Sequence, residues 1–338
     1  MGLLTLLHLR RPNPWERPTL LDNLLSSPLQ LLITILYQII LILRGHPFRP
    51  PRGRPPIRVV CLSDTHSRIP PNLSGVEGDL LIHAGDLTDD GSRESIQRQV
   101  DWIASLKFGE KVVVAGNHDG WLDPEWRGRR RGAGVDQQQG QEGGKDEEIE
   151  WRGVRYLQDE MVTLEFKGGR RLNVYGRSGV PRCGDDSHAF QYDRENHPWR
   201  GTIPEETDVL VTHTPPRFHR DLSLGCDGLL EEVWRVKPRL HVFGHVHWGH
   251  GREAVYYDEC QRAYESLMAR TGRGFIYDLV PSAAWTDAFN VVWYGVSSIL
   301  WKWLMLGPGT NQGGLMANVA VMYGNTGKVK NPVTVVDL

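Results

Sequence analysis

Three short apolar runs recur along the first third of the chain: IRVVCLSD (57–64), DLLIHAGD (79–86) and KVVVAGNHD (111–119). Each is rich in β-branched residues and ends in acidic, Asn or His positions. Continuous apolar runs of this length predict strands buried on both faces. Between the second and third, SRESIQRQVDWIASLK sets Ile96, Val100, Ile103 and Ala104 at helical spacing behind a cap at Ser92. Strand, helix, strand predicts an α/β sheet with right-handed crossovers. Further on, MVTLEF and RLNVYG read as strands. DVLVTH then leads into a helix, GLLEEVWRV, stopped by Pro238, and LHVFGHVH follows. NVAVMYG and NPVTVVDL predict closing strands, and no internal repeat is evident.

Three stretches break this pattern. Residues 1–56 read as an appendage, an apolar helix followed by the Pro/Arg linker HPFRPPRGRPP, which cannot hold regular structure. The globular domain is expected over 57–338. Within it, 127–149 holds almost nothing apolar and is expected to be a disordered surface loop. Residues 252–312 form an insertion, a charged helical part followed by FNVVWYGVSSILWKWLML (289–306).

Composition narrows the function classes. The chain has 338 residues and a formal net charge of -2, so no strong field points to nucleic acid. Four cysteines lie far apart with no C-x-x-C pair, which argues against a zinc ribbon or disulfide framework and fits a reducing compartment. The run Leu29–Leu43 starts late and ends in Arg44, unlike a secretory signal. Its fifteen residues are short for a membrane span, which needs about 20. Arginines flank it more heavily on the C-terminal side, so a spanning segment would leave everything downstream in the cytoplasm.

The histidines and carboxylates carry the chemistry. Hydrolysing a phosphate ester at neutral pH needs an activated water and cations on the phosphoryl oxygens, which two adjacent metals supply. Such metals want carboxylate, imidazole and amide ligands held at the ends of rigid strands. Asp64 and His66 are two apart, so both side chains of an extended segment face one way. Asp86 ends the second run, Asn117 the third and His213 a later one, and His245 and His247 repeat the two-residue spacing. Gly85, Gly116 and Gly244 permit tight turns beside them. Each piece alone is common; the ordered set, each member at the mouth of an apolar run, is not. His83 and His241 lie inside apolar runs and read as core groups or supports for ligands. His188, His197 and His219 lie in loops with nothing to choose between them. An acyl hydrolase using Ser63 or Ser178 fails, because no G-x-S-x-G elbow is present.

Taken together, D64-x-H66, G85-D86, G116-N117-H118-D119, H213 and G244-H245-x-H247 resemble the signature blocks of the calcineurin-like metallophosphoesterase superfamily. Within it the chain is similar to the metallophosphoesterase-domain-containing family, whose members include cyclic-nucleotide phosphodiesterases. The resemblance covers about 57–251 and the last twenty-odd residues. It implies a four-layer α/β/β/α sandwich of two mixed sheets flanked by helices. It implies two metal ions (manganese, iron, zinc or cobalt): Asp64, His66 and His247 on the first, Asn117, His213 and His245 on the second, Asp86 bridging. His118 would contact the phosphate and protonate the leaving oxygen; Asp119 would either orient it or be a surface carboxylate that merely follows the motif. The implied reaction is attack by a metal-bridging hydroxide on a phosphodiester or phosphomonoester, with a cyclic nucleotide as the preferred substrate by family analogy. Both histidines of the final block are present, which implies an active hydrolase. The rival reading is a membrane-associated binding or scaffold protein that keeps the fold and turns over little.

The apolar segments 24–43 and 289–306 keep that rival alive. Trp285, Trp293, Trp301, Trp303 and Tyr294 suit a lipid interface, whereas Lys302 is awkward in a span. Peripheral or single-anchor attachment on the cytoplasmic side is expected ahead of packing within a soluble protein, and both ahead of two spans. The insertion could also cover the site as a lid.

Overall fold

The computed structural model describes residues 3–13, 16–48, 53–132, 148–270, 274–304 and 313–338. The chain divides into two compact units, residues 50–252 with 316–338, and residues 1–49 with 253–315.

The larger unit is built on two sheets. The first three apolar runs become β1 (Arg58–Leu62), β2 (Leu80–Ala84) and β3 (Glu110–Val114). They are parallel neighbours, extended by a short β4 (Arg155–Tyr156). The other sheet takes β5 (Glu160–Phe166), β6 (Arg170–Arg177), β7 (Val209–Thr212), β8 (Leu240–Phe243), β9 (Gly251–Val255) and β10 (Gly314–Asn318). The closing β11 (Thr334–Asp337) returns to pair antiparallel with β1. Strand order is β11-β1-β2-β3-β4 in one sheet and β9-β10-β8-β7-β6-β5 in the other. Both are mixed sheets, as the resemblance implies, and both are flanked by helices.

Helix α3 (Arg93–Ser105) follows the expected pattern, with Ser92 Oγ accepting from Ser95 N and Ile96, Val100 and Ile103 buried. They pack on Val60, Leu81 and Val113 of the first sheet. In the crossover between the parallel strands β7 and β8, α5 (Asp227–Val236) ends with Lys237 in a left-handed conformation, one residue before Pro238. Between these two comes α4 (Pro124–Gly132), which occupies the start of the stretch expected to be a loop over 127–149. Residues 133–147 of that stretch lie outside the described residues.

One strand is displaced from its expected place. The run NVAVMYG reads as extended from Asn318 onward, yet β10 ends there. Beyond it the backbone ties the two sheets together. Val319 N donates to Phe243 O at the end of β8 (2.8 Å), while Val319 O accepts from Ser63 N at the end of β1 (3.1 Å). Val321 N then donates to Ser63 O (3.0 Å). The segment pairs residue by residue with two strand ends, so it cannot run along either ladder, and it fixes the positions of Asp64 and Gly244.

The smaller unit is helical and joins segments more than 200 residues apart in sequence. It contains α1 (Leu20–Ser26), α2 (Pro28–Arg44), α6 (Glu259–Ala269) and α7 (Ala283–Leu304). The sequence reads the apolar N-terminal helix as an appendage and the 252–312 insertion as part of the 57–338 domain; the structure groups the two. The reason is a shared core. Ile33, Tyr37 and Ile40 on one stripe of α2 pack with Tyr264 and Leu267 of α6 and Ala288 and Val291 of α7. Tyr37 stacks on Tyr264 at a centroid separation of 4.0 Å. Gly295 lets α7 approach closely, since a β-carbon there would fall 2.4 Å from Ile40 Cδ1. Gln30 caps the C-terminal end of α6 by donating to the carbonyls of Leu267 and Arg270 (2.8 and 2.7 Å).

Candidate metal centre

The seven residues expected to be ligands all lie at or just beyond strand ends in the larger unit. Asp64 and His66 follow β1, Asp86 follows β2, Asn117 follows β3, His213 follows β7, and His245 and His247 follow β8. They are buried or nearly so. The chain turns sharply at this point. Asp64, His66, Asp86 and His245 have φ of 55, 45, 53 and 64°. Left-handed backbone is uncommon for residues other than glycine and gathers at functional sites. Gly85 has φ +93°, and a β-carbon on it would fall 2.4 Å from His213 Nδ1. A β-carbon on Gly244 would fall 2.2 Å from Asp64 Oδ2, and one on Gly116 equally close to Asp86 Oδ1. The glycines of the signature blocks make room for the carboxylates.

The polar atoms converge in two linked groups. In one, His247 Nε2 lies 3.2 Å from Asp64 Oδ1 and 3.3 Å from His66 Nε2. Ligand atoms of Asp64, His66, Asp86 and His247 all fall within 4.8 Å of one another. In the other, His213 Nε2 lies 3.1 Å from Asn117 Oδ1, and the His213 and His245 rings meet edge-on at 5.1 Å. Asp86 Oδ2 is common to both, 3.6 Å from His66 Nε2 and 3.4 Å from His213 Nε2. Neighbouring ligands around an ion bound at about 2.1 Å stand about 3.0–3.4 Å apart, so these spacings fit metal binding.

Supporting hydrogen bonds set which nitrogen faces the centre. His213 Nδ1–H donates to Ala84 O (2.8 Å) and His247 Nδ1–H to Gly324 O (2.9 Å). Each donation commits Nδ1 and directs Nε2 inward, the nitrogen a metal ligand would use. The carboxylates are held as firmly. Asp64 accepts from His245 N (3.1 Å) and from Ser63 Oγ, and Asp86 Oδ1 accepts from His118 N (2.9 Å). Asn318 Nδ2 holds the His245–His247 turn through the carbonyls of Gly244 and Val246.

Proton affinities follow from this packing. Burial pushes the Asp64 carboxyl up, but His247 and His213 outweigh it and hold it at about 2. Asp86 is likewise buried, and His213 and its neighbours carry it well below the carboxylate range. Burial lowers His213, yet Asp86 and Asp64 raise it to about 9. His247 is raised in the same way by Asp64, whereas burial takes His245 down to about 3. The carboxylates thus retain protons on facing imidazoles, and a metal cation would take the place of those protons.

His118 stands beside the centre, its ring edge-on to His66 at 4.8 Å. Its Nδ1–H donates to the carbonyl of Asp89 (3.0 Å). Burial lowers its proton affinity, but Asp86, the Asp89 carbonyl and Asp119 give a net upward shift. Asp119 does not meet the imidazole, contrary to the orienting role expected for it. Its carboxylate is fully buried and accepts from the backbone N–H groups of Leu87, Thr88 and Gly116 and from Thr88 Oγ1. It ties the Asp86 turn to the Asn117 turn; burial and the nearby Asp86 raise it to about 6.

Two residues at the site had no distinguishing sequence signal. Asp89 offers its carbonyl to His118 and places Oδ1 2.9 Å from His66 Nδ1. A carboxylate three residues beyond Asp86 in a polar turn looks like any surface acid. His188, one of the undistinguished loop histidines, sets its ring edge-on to His118 at 5.3 Å. His83 and His241 are buried as expected, paired through Nε2 with Thr65 Oγ1 (3.0 Å) and Thr212 Oγ1 (2.9 Å).

Comparison with known proteins agrees with this geometry. Residues 57–249 match the family model described as calcineurin-like phosphoesterase. The chain is 37% identical over 207 residues to a UPF0046 protein of Caenorhabditis elegans, covering 60% of this chain and 67% of that protein. It is 36% identical over 209 residues to human metallophosphoesterase domain-containing protein 1, covering 57% and 61%. A match at 41% identity over 215 residues to a probable rhamnogalacturonate lyase C of Emericella nidulans covers 63% of this chain and only 19% of that protein. Among solved structures, TT1561 of Thermus thermophilus aligns at 13% identity and a TM-score of 0.39 over 60% of this chain and 85% of that one, too loosely to bear on the site. The strand-end cluster and the family match over 57–249 coincide, and the chain belongs to the calcineurin-like phosphoesterase family.

Proposed function

We propose that the chain is a binuclear metal-dependent hydrolase of phosphoric esters, with His118 as general acid. The observation that carries this reading is the position of Asp86, whose Oδ2 lies between the His66/His247 group and the Asn117/His213 group. Asp64, His66 and His247 would hold one cation and Asn117, His213 and His245 the other, with Asp86 shared. Bound there, two cations supply an acidified water and neutralise charge on the phosphoryl oxygens.

The protein's own groups do the rest. The carbonyls of Ala84 and Gly324 take the Nδ1 hydrogens of His213 and His247, so a cation that displaced the Nε2 protons would meet nitrogens already aimed at it. His118 gives its Nδ1–H to Asp89 O, so Nε2 is the nitrogen left to carry a proton to the leaving oxygen. The upward shift of this imidazole favours the protonated form that an acid requires. His188, edge-on to His118 at 5.3 Å, would stand beside the acid. A phosphodiester is preferred over a monoester, and a cyclic nucleotide among diesters, by analogy with the family.

The purified protein loaded with manganese should hydrolyse an aryl phosphodiester, and Asp86→Ala should abolish turnover. Undiminished turnover in that variant would refute the site. Two tightly bound metals with no hydrolysis of any phosphoester would favour the scaffold reading.

A further inference from the structure

The helical unit leaves a second apolar face uncovered. Each of its two apolar helices carries two stripes. On α2, Ile33, Tyr37 and Ile40 face the core, whereas Leu32, Ile35, Ile39 and Ile42 are exposed, Ile42 to 77%. On α7, Ala288 and Val291 face the core, whereas Trp285, Phe289, Trp293, Val296, Leu300 and Trp303 are exposed at steps of three and four residues. Phe289, Trp293 and Trp303 are 63, 59 and 65% exposed. Ser27, at the start of α2, bonds to Asp278, five residues before α7 begins, and Gly45, at its end, lies near Lys302 in the last turn of α7. The helices therefore run parallel, each carrying an exposed apolar stripe along its length.

We infer that this face seats on a lipid bilayer, lying in the interface plane with the tryptophans at headgroup level. Charge favours a lipid occupant. No charged residue occurs from Pro28 to Leu43 or from Ala288 to Trp301. The acids around the pair are engaged elsewhere: Asp278 accepts from Ser27 Oγ and Leu29 N, Asp287 pairs with Arg270, and Asp258 pairs with Arg44. Lys302 closes α7, and Arg11 and Arg17 precede α1, while Arg10 beside them pairs with Asp22. An apolar face without charge over most of its length, ended by Lys302 and carrying Trp285, Trp293 and Trp303, matches a membrane surface that includes anionic lipid. Protein-facing patches interleave polar groups over such a length.

The opposite side of the pair decides between lying on the membrane and crossing it. There α2 and α7 bury themselves against α6, which carries Glu259, Arg262 and Glu265. A spanning arrangement would draw those charges into hydrocarbon, which is costly. Among the described residues no single helix is long and apolar enough to cross a membrane, and the α1–α2 pair that passes together is bent by 119°. An in-plane seat requires none of this.

The test uses the full chain with vesicles of phosphatidylcholine alone and with phosphatidylserine added. The protein should float with the vesicles, more strongly with phosphatidylserine, and its tryptophan emission should shift to the blue. Phe289→Glu with Trp293→Glu should lower partitioning at least about tenfold while leaving aryl phosphodiester hydrolysis unchanged. Lipids brominated near the headgroup end of the acyl chain should quench tryptophan more than lipids brominated near its tip, a readout that needs no variant. Strongest quenching from the bilayer centre would overturn the in-plane seat. Failure to float, or a concentration-dependent dimer split by the same two substitutions, would overturn the lipid assignment. Asp86→Ala should bind vesicles as the parent does, so this inference stands or falls apart from the hydrolase reading.

Discussion

In the sheet unit, Asp64, Asp86 and His213 are buried almost completely; in the helical unit, Phe289, Trp293 and Trp303 stand in solvent. Each arrangement runs against the usual partition of polar and apolar groups, and each is tolerated for a different reason. The buried carboxylates face imidazoles and backbone N–H groups, so their desolvation is offset by charge and hydrogen bonding. The exposed aromatics have no such compensation in water. Buried polarity with partners marks a site that is already assembled, whereas exposed apolar surface without partners marks one that awaits its counterpart.

The largest effect that sharpens the contrast comes from Asp86. Replacing it with alanine removes the one oxygen near both groups of ligands, and initial rates on an aryl phosphodiester should fall at least about a thousandfold. Metal content after dialysis should fall with them. A variant that lost turnover but kept its full metal complement would show that Asp86 does not hold the ions together.

The helical unit should respond to the side of the helix that is changed. Tyr37 is 1% exposed and stacked on Tyr264. Tyr37→Ala removes a large side chain from the core, with an expected cost of about 3–5 kcal/mol, read from a urea titration followed by circular dichroism. The Phe289→Glu and Trp293→Glu pair, on the same unit but the opposite face, should shift the midpoint little. Equal destabilisation from both sets would mean that the exposed face is held by protein after all.

Much of the sheet unit was legible in sequence because a ligand set at strand mouths imposes local rules. The apolar run, the turn glycine and the ligand are contiguous, so 57–64, 79–86, 111–119 and 240–247 reveal strand and site together. Asp119 shows the limit of that adjacency. It follows His118 in the motif, but the turn points its carboxylate at the backbone of residues 87, 88 and 116. The helical unit was hidden for a related reason. Periodicity shows that 29–43 and 289–306 each have an apolar face, but not that Tyr37 meets Tyr264 across more than 200 residues. The double-sided apolar character of α2 and α7, one stripe for the core and another left over, becomes distinct only once the core partners are known.

Asp89 offers an intermediate effect on the sheet unit. Its carboxylate lies against His66 Nδ1 and Arg68 while its carbonyl holds His118. Asp89→Ala keeps the carbonyl and deletes the carboxylate. It should weaken metal affinity about 10- to 100-fold, with kcat at saturating metal changed less. A loss confined to kcat, with unaltered metal affinity, would place Asp89 in the acid step through the His118 turn instead.

The smallest effect concerns a buried polar group that takes no part in the centre. His241 is fully buried in β8 and gives its Nε2–H to Thr212 Oγ1, whose own hydrogen goes to Thr214 O. Its Nδ1 has no hydrogen-bond partner among the described residues, and burial lowers its proton affinity to about 3. The unfolded chain holds this histidine near its ordinary value of about 6.5. Between those values the unfolded state binds the extra proton and the folded state does not. The neutral form's stability is therefore fully present above pH about 6.5 and drains away as pH falls toward about 3, at up to about 1.4 kcal/mol per pH unit. His83, also lowered to about 3 by burial, acts in the same direction. His241→Gln keeps a donor for Thr212 without a titrating group. In the metal-free protein, melting temperatures from pH 7 down to 4 should therefore fall less steeply for this variant than for the parent. Parallel slopes would mean that the acid sensitivity of the sheet unit resides in His66 and His245, which burial also lowers, and that the burial of His241 is relieved before the unit unfolds.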